Sequence, residues 1–274
     1  VGYFQADSIS RRGCAQRSAS FVPTDSVSHV NVAFAWIESS TFTLIPDANT
    51  GADQLKQLAA LKGQATGLQV WLTLGGYDFS TGSGRASDTQ GILSDMVSTY
   101  ENRQKFLANL VSFVREYGFD GVDIDWQWPQ AGDDATNYAL LLQEMREYFN
   151  SQSTGTTAWG ISCTLPVDTS ILGRFDLASI AASTNWINLV AYDLKSTDRS
   201  TTQAMSEKNS IETALDFLAN AGVPHTQINL GIGFFGRTYT LSDKSCNGLG
   251  CAASGFGVAG KCTGQPGFLS YDEI

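Results

Sequence analysis

Apolar residues in this chain gather into seven short runs, and the stretches between several of them carry a helical period. The runs are 1–4 (VGYF), 29–37 (HVNVAFAWI), 68–77 (LQVWLTLGGY), 119–128 (FDGVDIDWQW), 157–166 (TAWGISCTLP), 186–194 (WINLVAYDL) and 228–236 (INLGIGFFG). Each has the length of a strand and is rich in Val, Ile, Leu, Phe and Trp. Between them, Phe106, Leu110, Phe113, Val114 and Tyr117 fall on one helical face, preceded by Ser98 and Glu101 at the spacing of a capping box. Tyr138, Leu141, Leu142, Met145 and Phe149 make a second such face. Ile211, Leu215 and Leu218 make a third, ended by Gly222 and Pro224, and 52–61 reads as a fourth helix.

Strand–helix units in series predict a parallel sheet. Seven of them predict a closed (β/α)8 barrel rather than a doubly wound sheet, and no G-x-G-x-x-G follows an early strand to argue otherwise. An eighth strand is not visible: after 228–236 the chain enters a segment rich in Gly and Cys and reaches Ile274. A barrel with an open edge does not close stably, so the closing strand is expected beyond Ile274.

Composition narrows the function. The net charge of −10 over 274 residues disfavours nucleic acid and anionic membrane surfaces, while a neutral ligand is indifferent to it. No long apolar span or leader-like segment is present, and the chain starts directly in a strand-like run, as a processed or trimmed N-terminus would. Three of the five cysteines, Cys246, Cys251 and Cys262, crowd the C-terminal segment, which predicts a disulfide-braced loop in an oxidising, extracellular setting. Cys163 lies in an apolar run and is expected to be buried and inert; a partner for the odd thiol is expected beyond Ile274. With two histidines and no paired C-x-x-C units, no zinc site is predicted.

The run 119–128 holds the chemistry. Strand side chains alternate between faces, so Val122, Ile124 and Trp126 pack outward under helices while Asp123, Asp125 and Gln127 point into the bore. Gln127 is then nearest the C-terminal mouth, where barrels of this kind place their active sites. Two carboxylates roughly 7 Å apart inside a core are costly and titrate together, so stability alone does not account for them. A Tyr-Asp pair, Tyr192 and Asp193, ends another apolar run and also points to the mouth.

DGVDIDWQWP, 120–129, resembles the D-x-x-D-x-D-x-E signature of glycoside hydrolase family 18, the chitinases and chitinase-like proteins. Asp120, Asp123 and Asp125 match it, and Gln127 stands where the family has its catalytic glutamate. TLGG (73–76) resembles the family's S-x-G-G, LVAYD (189–193) its L-M-x-Y-D, and FGR (235–237) its Y-G-R. The resemblance implies a (β/α)8 TIM barrel over 1–238, with 239–274 beginning a small Cys-rich α+β insertion after strand seven. It implies a substrate-assisted retaining cleavage of chitin, in which the sugar's acetamido oxygen is the nucleophile, with no metal or cofactor. Asp125 would orient the acetamido group, and Asp123 would tune Asp125 with support from Tyr3 and Thr73. Tyr192 would donate to the acetamido oxygen, and Asp193 would contact the sugar near the cleaved bond. Phe34, Gly75, Gly76, Tyr77, Trp128 and Arg237 would line the cleft. The partner would be chitin or N-acetylglucosamine oligomers bound by a secreted monomer.

A carboxamide donates hydrogen bonds through its NH2 but has no acidic proton to give. Gln127 therefore implies a cleft that holds chitooligosaccharides and hydrolyses them hardly at all. Further departures from the family pattern are Thr73 for Ser, Tyr77 for Trp, Val190 for Met, Phe235 for Tyr, and Lys195-Ser196 for His-Gly. Two other readings stay open: an active secreted endochitinase inactivated at this one position, and an interaction or storage protein without a sugar site.

Overall fold

The computed structural model describes residues 1–11, 13–47, 49–84, 86–152, 159–194 and 199–274. Its strands are β1 (Gly2–Gln5), β2 (His29–Ile37), β3 (Leu44–Pro46), β4 (Gln69–Gly75), β5 (Gly121–Asp125), β6 (Gly160–Pro166), β7 (Trp186–Val190), β8 (Ile228–Leu230), β9 (Phe235–Arg237), β10 (Tyr239–Leu241), β11 (Ala253–Phe256) and β12 (Phe268–Ser270). Its α-helices are α1 (Ala52–Ala59), α2 (Tyr77–Thr81), α3 (Ile92–Val97), α4 (Tyr100–Tyr117), α5 (Asp133–Gln152), α6 (Thr169–Leu172), α7 (Leu177–Ser183) and α8 (Lys208–Asn220). All seven apolar runs hold a strand of one curled parallel sheet, in the order β1-β2-β4-β5-β6-β7-β8, with β3 folded back antiparallel on β2. The first two residues of the run 157–166, and Lys195-Ser196, lie outside the described residues.

The outward side chains of the sheet meet the helices. Val122, Ile124 and Trp126 are buried, and the Trp126 ring stands edge-on to Tyr138 of α5 at 5.7 Å. Phe106, Leu110 and Val114 of α4 join the same core, as do Leu141, Leu142, Met145 and Phe149 of α5. Burying such side chains contributes about 1.5–3 kcal/mol each, which is what holds helices of modest intrinsic preference on the sheet. The bottom of the bore is filled by Trp71 stacked on Trp186 at 4.2 Å. Space for the Trp71 indole comes from the neighbouring strands: a Cβ at Gly160 would lie 2.0 Å, and one at Gly121 2.4 Å, from its ring atoms.

Several details differ from the sequence expectation. The cap of α4 is Thr99, whose side chain accepts from the Asn102 amide; the Ser98 hydroxyl instead donates to the Asp95 carbonyl at the end of α3. The run 228–236 is not one strand. It stops at Leu230 and resumes as β9, and two of its glycines sit at close approaches that leave no room for a side chain: a Cβ at Gly231 would lie 2.7 Å from the Leu189 carbonyl, and one at Gly233 2.6 Å from the Phe235 ring. Short β3 was not anticipated, since three residues are too few to carry a period. Beyond β8 the chain forms two antiparallel pairs, β9 with β12 and β10 with β11, and no described residue adds a parallel strand between β8 and β1.

The cysteine expectation is corrected as well. Cys14 pairs with Cys262 and Cys246 with Cys251, so the odd thiol needs no partner beyond Ile274. It is Cys163, enclosed in β6, where burial pushes the thiol up and away from reactivity. Among the described residues, no helix is long and apolar enough to cross a membrane.

Candidate functional site

β5 delivers its carboxylates in a ladder of increasing access. Asp120, just before the strand, is a staple at the bottom: it accepts from the Val70 amide at 2.9 Å and from Lys62 at 2.7 Å. Asp123 is fully buried one layer up. Four donors converge on it: Ser162 at 2.7 Å and Asn188 at 3.0 Å on one oxygen, Tyr3 at 2.8 Å and Thr73 at 3.2 Å on the other. Burial raises its pKa, and those four hydrogen bonds oppose the rise. Tyr3 is 45% exposed, since β1 is an edge of the sheet, but its hydroxyl end faces the carboxylates. Burial of that end, then the charges of Asp123 and Asp125, push the phenol well above its ordinary range.

Asp125 ends β5 at the floor of a wide cleft and is 5% exposed. Thr164 donates to its Oδ1 at 2.6 Å and Gln127 Nε2 donates to the same oxygen at 2.8 Å. Gly75 and Gly76 let β4 come this close. A Cβ on Gly75 would lie 2.4 Å from the Asp125 carbonyl, the Gly76 amide donates to that carbonyl at 2.8 Å, and both glycines have positive φ. Gln127 is half-buried, and the hydroxyl of Ser80 in α2 accepts from its backbone amide at 2.9 Å.

The Asp125 carboxyl is pushed up to about 6. Burial is the main cause; the Thr164 hydrogen bond opposes it, the Asp123 charge adds to it, and the Gln127 amide opposes it. The folded chain therefore holds this proton more tightly than the unfolded chain, whose carboxyl titrates near 3.9. Stability falls as pH rises from about 4 to about 6, by up to ~3 kcal/mol from this group. Asp125→Asn should gain stability relative to the parent between pH 4 and pH 7, measured by urea unfolding at both. Parallel pH profiles for the two proteins would contradict this assignment.

Above Asp125 the cleft has a volume of about 860 Å³. Phe34, Trp36, Tyr77 and Trp128 are among its walls, with Tyr192 and Asp193 on the β7 side. Tyr77 is 62% exposed, whereas Trp36 is nearly buried and stacked on Phe79, so it is mostly core. Phe34 lies directly over Gly76, where a Cβ would meet its ring at 2.8 Å. Burial, then the charges of Asp125, Asp193 and Asp123, hold the Tyr192 phenol up at about 12, so it remains a donor at neutral pH. Arg237 stands behind Asp193 rather than on the cleft wall, bonded to both carboxylate oxygens at 2.7 and 2.5 Å. Tyr3, Thr73 and Asp123 likewise lie beneath the cleft rather than on its surface.

Sequence reading missed Thr164, Ser162 and Asn188, the donors from β6 and β7. A signal was there: Ser162 and Thr164 alternate with Ile161, Cys163 and Leu165, and the register sets Ser162 opposite Asp123. It also missed the far wall, where Asp168 caps α6, Glu207 caps α8, and Asn209 and Thr213 line the cleft. Asp168 and Glu207 precede their helices in segments that carry no period, and Asn209 and Thr213 are polar positions of α8, off the apolar face of Ile211, Leu215 and Leu218. Among the described residues, no group of three or more His, Cys, Asp or Glu is placed to hold a metal. The arrangement can grip a neutral ligand by aromatic faces, donate from Tyr192 and Gln127, and place a buried carboxylate beside it; Gln127 itself cannot transfer a proton.

The family model for glycosyl hydrolases family 18 matches residues 1–274. Chitotriosidase-1 of Mus musculus is 30% identical over 267 residues, covering 89% of this chain and 54% of that protein. The oviduct-specific glycoprotein of Ovis aries is 26% identical over 291 residues, covering 100% of this chain and 52% of that protein. The chain thus spans about half the length of these two curated relatives. Among solved structures, a Glu-to-Gln mutant of the class V chitinase from Nicotiana tobaccum, in complex with NAG4, superposes with a TM-score of 0.86 at 25% identity, covering 100% of this chain and 76% of that one. The immunomodulatory active chitinase from Trichuris suis superposes at 0.85, also with 25% identity, covering 99% and 76%.

Proposed function

This chain belongs to glycosyl hydrolase family 18, and from that premise we propose that it binds chitooligosaccharides while lacking the proton donor needed to cleave them. One observation carries the reading: the side chain poised over Asp125 at the cleft mouth is an amide donating to that carboxylate at 2.8 Å, not an acid. In substrate-assisted cleavage the acetamido oxygen attacks the anomeric carbon while an acid protonates the departing oxygen. Asp125, braced by the Thr164 hydroxyl, and Tyr192 are arranged to hold the acetamido group, so half of the machinery is present. Gln127 keeps the shape and the hydrogen bond of the missing acid and loses its proton. The Tobacco mutant that holds NAG4 carries a Glu-to-Gln change, which supports ligand retention in a cleft of this kind. The two disulfides fit a secreted protein, and the ligand is neutral, as suits a chain of charge −10. The residues 239–274 read as the start of the family's Cys-rich insertion.

Titration calorimetry with chitohexaose tests the reading. Saturable one-to-one binding is expected, weakened about five- to thirtyfold by Trp128→Ala, since stacking of an aromatic face on a sugar ring is of the order of 1–2 kcal/mol. No heat of binding up to millimolar ligand would overturn it.

A further inference from the structure

We propose that Phe268 is a positioning residue for the Tyr192–Asp193 pair, acting through Phe235 and Arg237. The inference rests on the reading that Tyr192 and Asp193 meet the sugar. Asp193 has a φ of +57°, in the left-handed region that Asp adopts more readily than most non-glycine residues but still at some cost, so its surroundings help to hold it there. The first restraint is Arg237, held to both carboxylate oxygens. An arginine side chain has many rotamers, so it restrains Asp193 only if it is itself fixed.

Phe268 supplies that restraint from a different part of the chain. β12 pairs antiparallel with β9, and the register sets Phe268 opposite Arg237. The guanidinium carbon lies 5.3 Å from the Phe268 ring centroid. The same ring stacks on Phe235 at 4.7 Å, and Phe235 in turn stands edge-on to Tyr192 at 5.9 Å. One ring therefore backs the holder of Asp193 and the neighbour of Tyr192 together. An aromatic face attracts the guanidinium and keeps water from beneath it, which strengthens its pairing with the carboxylate.

Phe268 is not part of the cleft wall, so it reaches a ligand only through these neighbours. Its strand is anchored away from the cleft. Ser270 donates twice to Glu273, the Cys262 amide donates to the same carboxylate, and the Cys14–Cys262 disulfide ties this segment to the N-terminal loop.

The test uses the whole chain with Phe268→Leu, Phe268→Met and Phe268→Tyr. Two quantities are read: affinity for chitohexaose by calorimetry, and the ¹⁵N signal of the Arg237 Nε–H, assigned by its disappearance in Arg237→Lys. The two ring-less variants should bind about tenfold more weakly and lose or broaden the Arg237 signal, while Phe268→Tyr keeps both. The second ring-less variant serves if the first does not fold. The proposal is overturned if Leu or Met keeps the affinity and the signal, or if Tyr loses as much as they do. Should the parent chain not bind chitohexaose at all, the functional reading fails, and the Arg237 signal alone then decides whether Phe268 fixes the pair.

Discussion

Gln127→Glu is expected to raise hydrolysis of chitohexaose by about 10²–10⁴-fold, the usual contribution of a positioned general acid. The change adds no volume and leaves the backbone anchor to Ser80 in place. It converts an amide that only donates a hydrogen bond to Asp125 into a carboxyl that can share a proton with it. Two carboxyls at the 2.8 Å separation of the present contact cannot both be ionised cheaply, so one proton stays between them near neutral pH. That proton is the one the departing sugar oxygen requires. Affinity should change little, because the walls of the cleft are untouched. Product formation is read by chromatography of the oligomers over time. A Glu variant that binds the hexamer and still leaves it intact would show that the remaining departures, Tyr77 or Val190 among them, have also cost the site its chemistry.

Asp123→Leu should have the largest effect on stability, about 3 kcal/mol, or a fall in melting temperature of the order of 8 °C. It takes the acceptor away from four donors at once, in a place water does not reach. Asp123→Asn is the informative control. The hydroxyls of Tyr3 and Thr73 can turn to accept from the new NH2, while the retained oxygen still accepts from Ser162 and Asn188. Its stability loss should therefore be less than half that of Leu. Both variants remove the charge that helps hold the Asp125 carboxyl up, so the Asp125 step near pH 6 should move to lower pH in each. Thermal melts across pH 4 to 8 measure both effects. Equal losses for Leu and Asn would mean that charge, rather than the hydrogen-bond set, is what Asp123 contributes.

How much of this was written in the sequence depends on periodicity. The seven parallel strands announce themselves because strands buried on both faces are continuous apolar runs. The inward ladder of β5 was legible for the complementary reason: Asp123 and Asp125 break such a run at every second position. The same rule, applied to β6, would have found Ser162 and Thr164, but two small hydroxyl residues interrupt an apolar run far less visibly than two acids. Arg237 was expected on the cleft wall and instead holds Asp193 from behind, a contact hidden in the sequence because it joins the end of β7 to β9 across 44 positions. The Cys14–Cys262 bond was hidden for a similar reason, since clustering suggested that the C-terminal cysteines bond among themselves, whereas the segment after β1 and the segment between β11 and β12 meet across 248 positions. The cap of α4 shows the local limit. Ser98 and Thr99 are chemically equivalent caps, and the placement of α3 just before them decides which one faces the free amides.

The central claim is that this cleft holds its sugar and does not cut it. The direct measurement incubates the chain with a saturating amount of chitohexaose, confirms occupancy by calorimetry, and then analyses the same sample by mass spectrometry. Intact hexamer in an occupied protein, with shorter oligomers only after Gln127→Glu, is the predicted result. Dimers and trimers released by the unmodified chain at a rate comparable to the Glu variant would contradict the account.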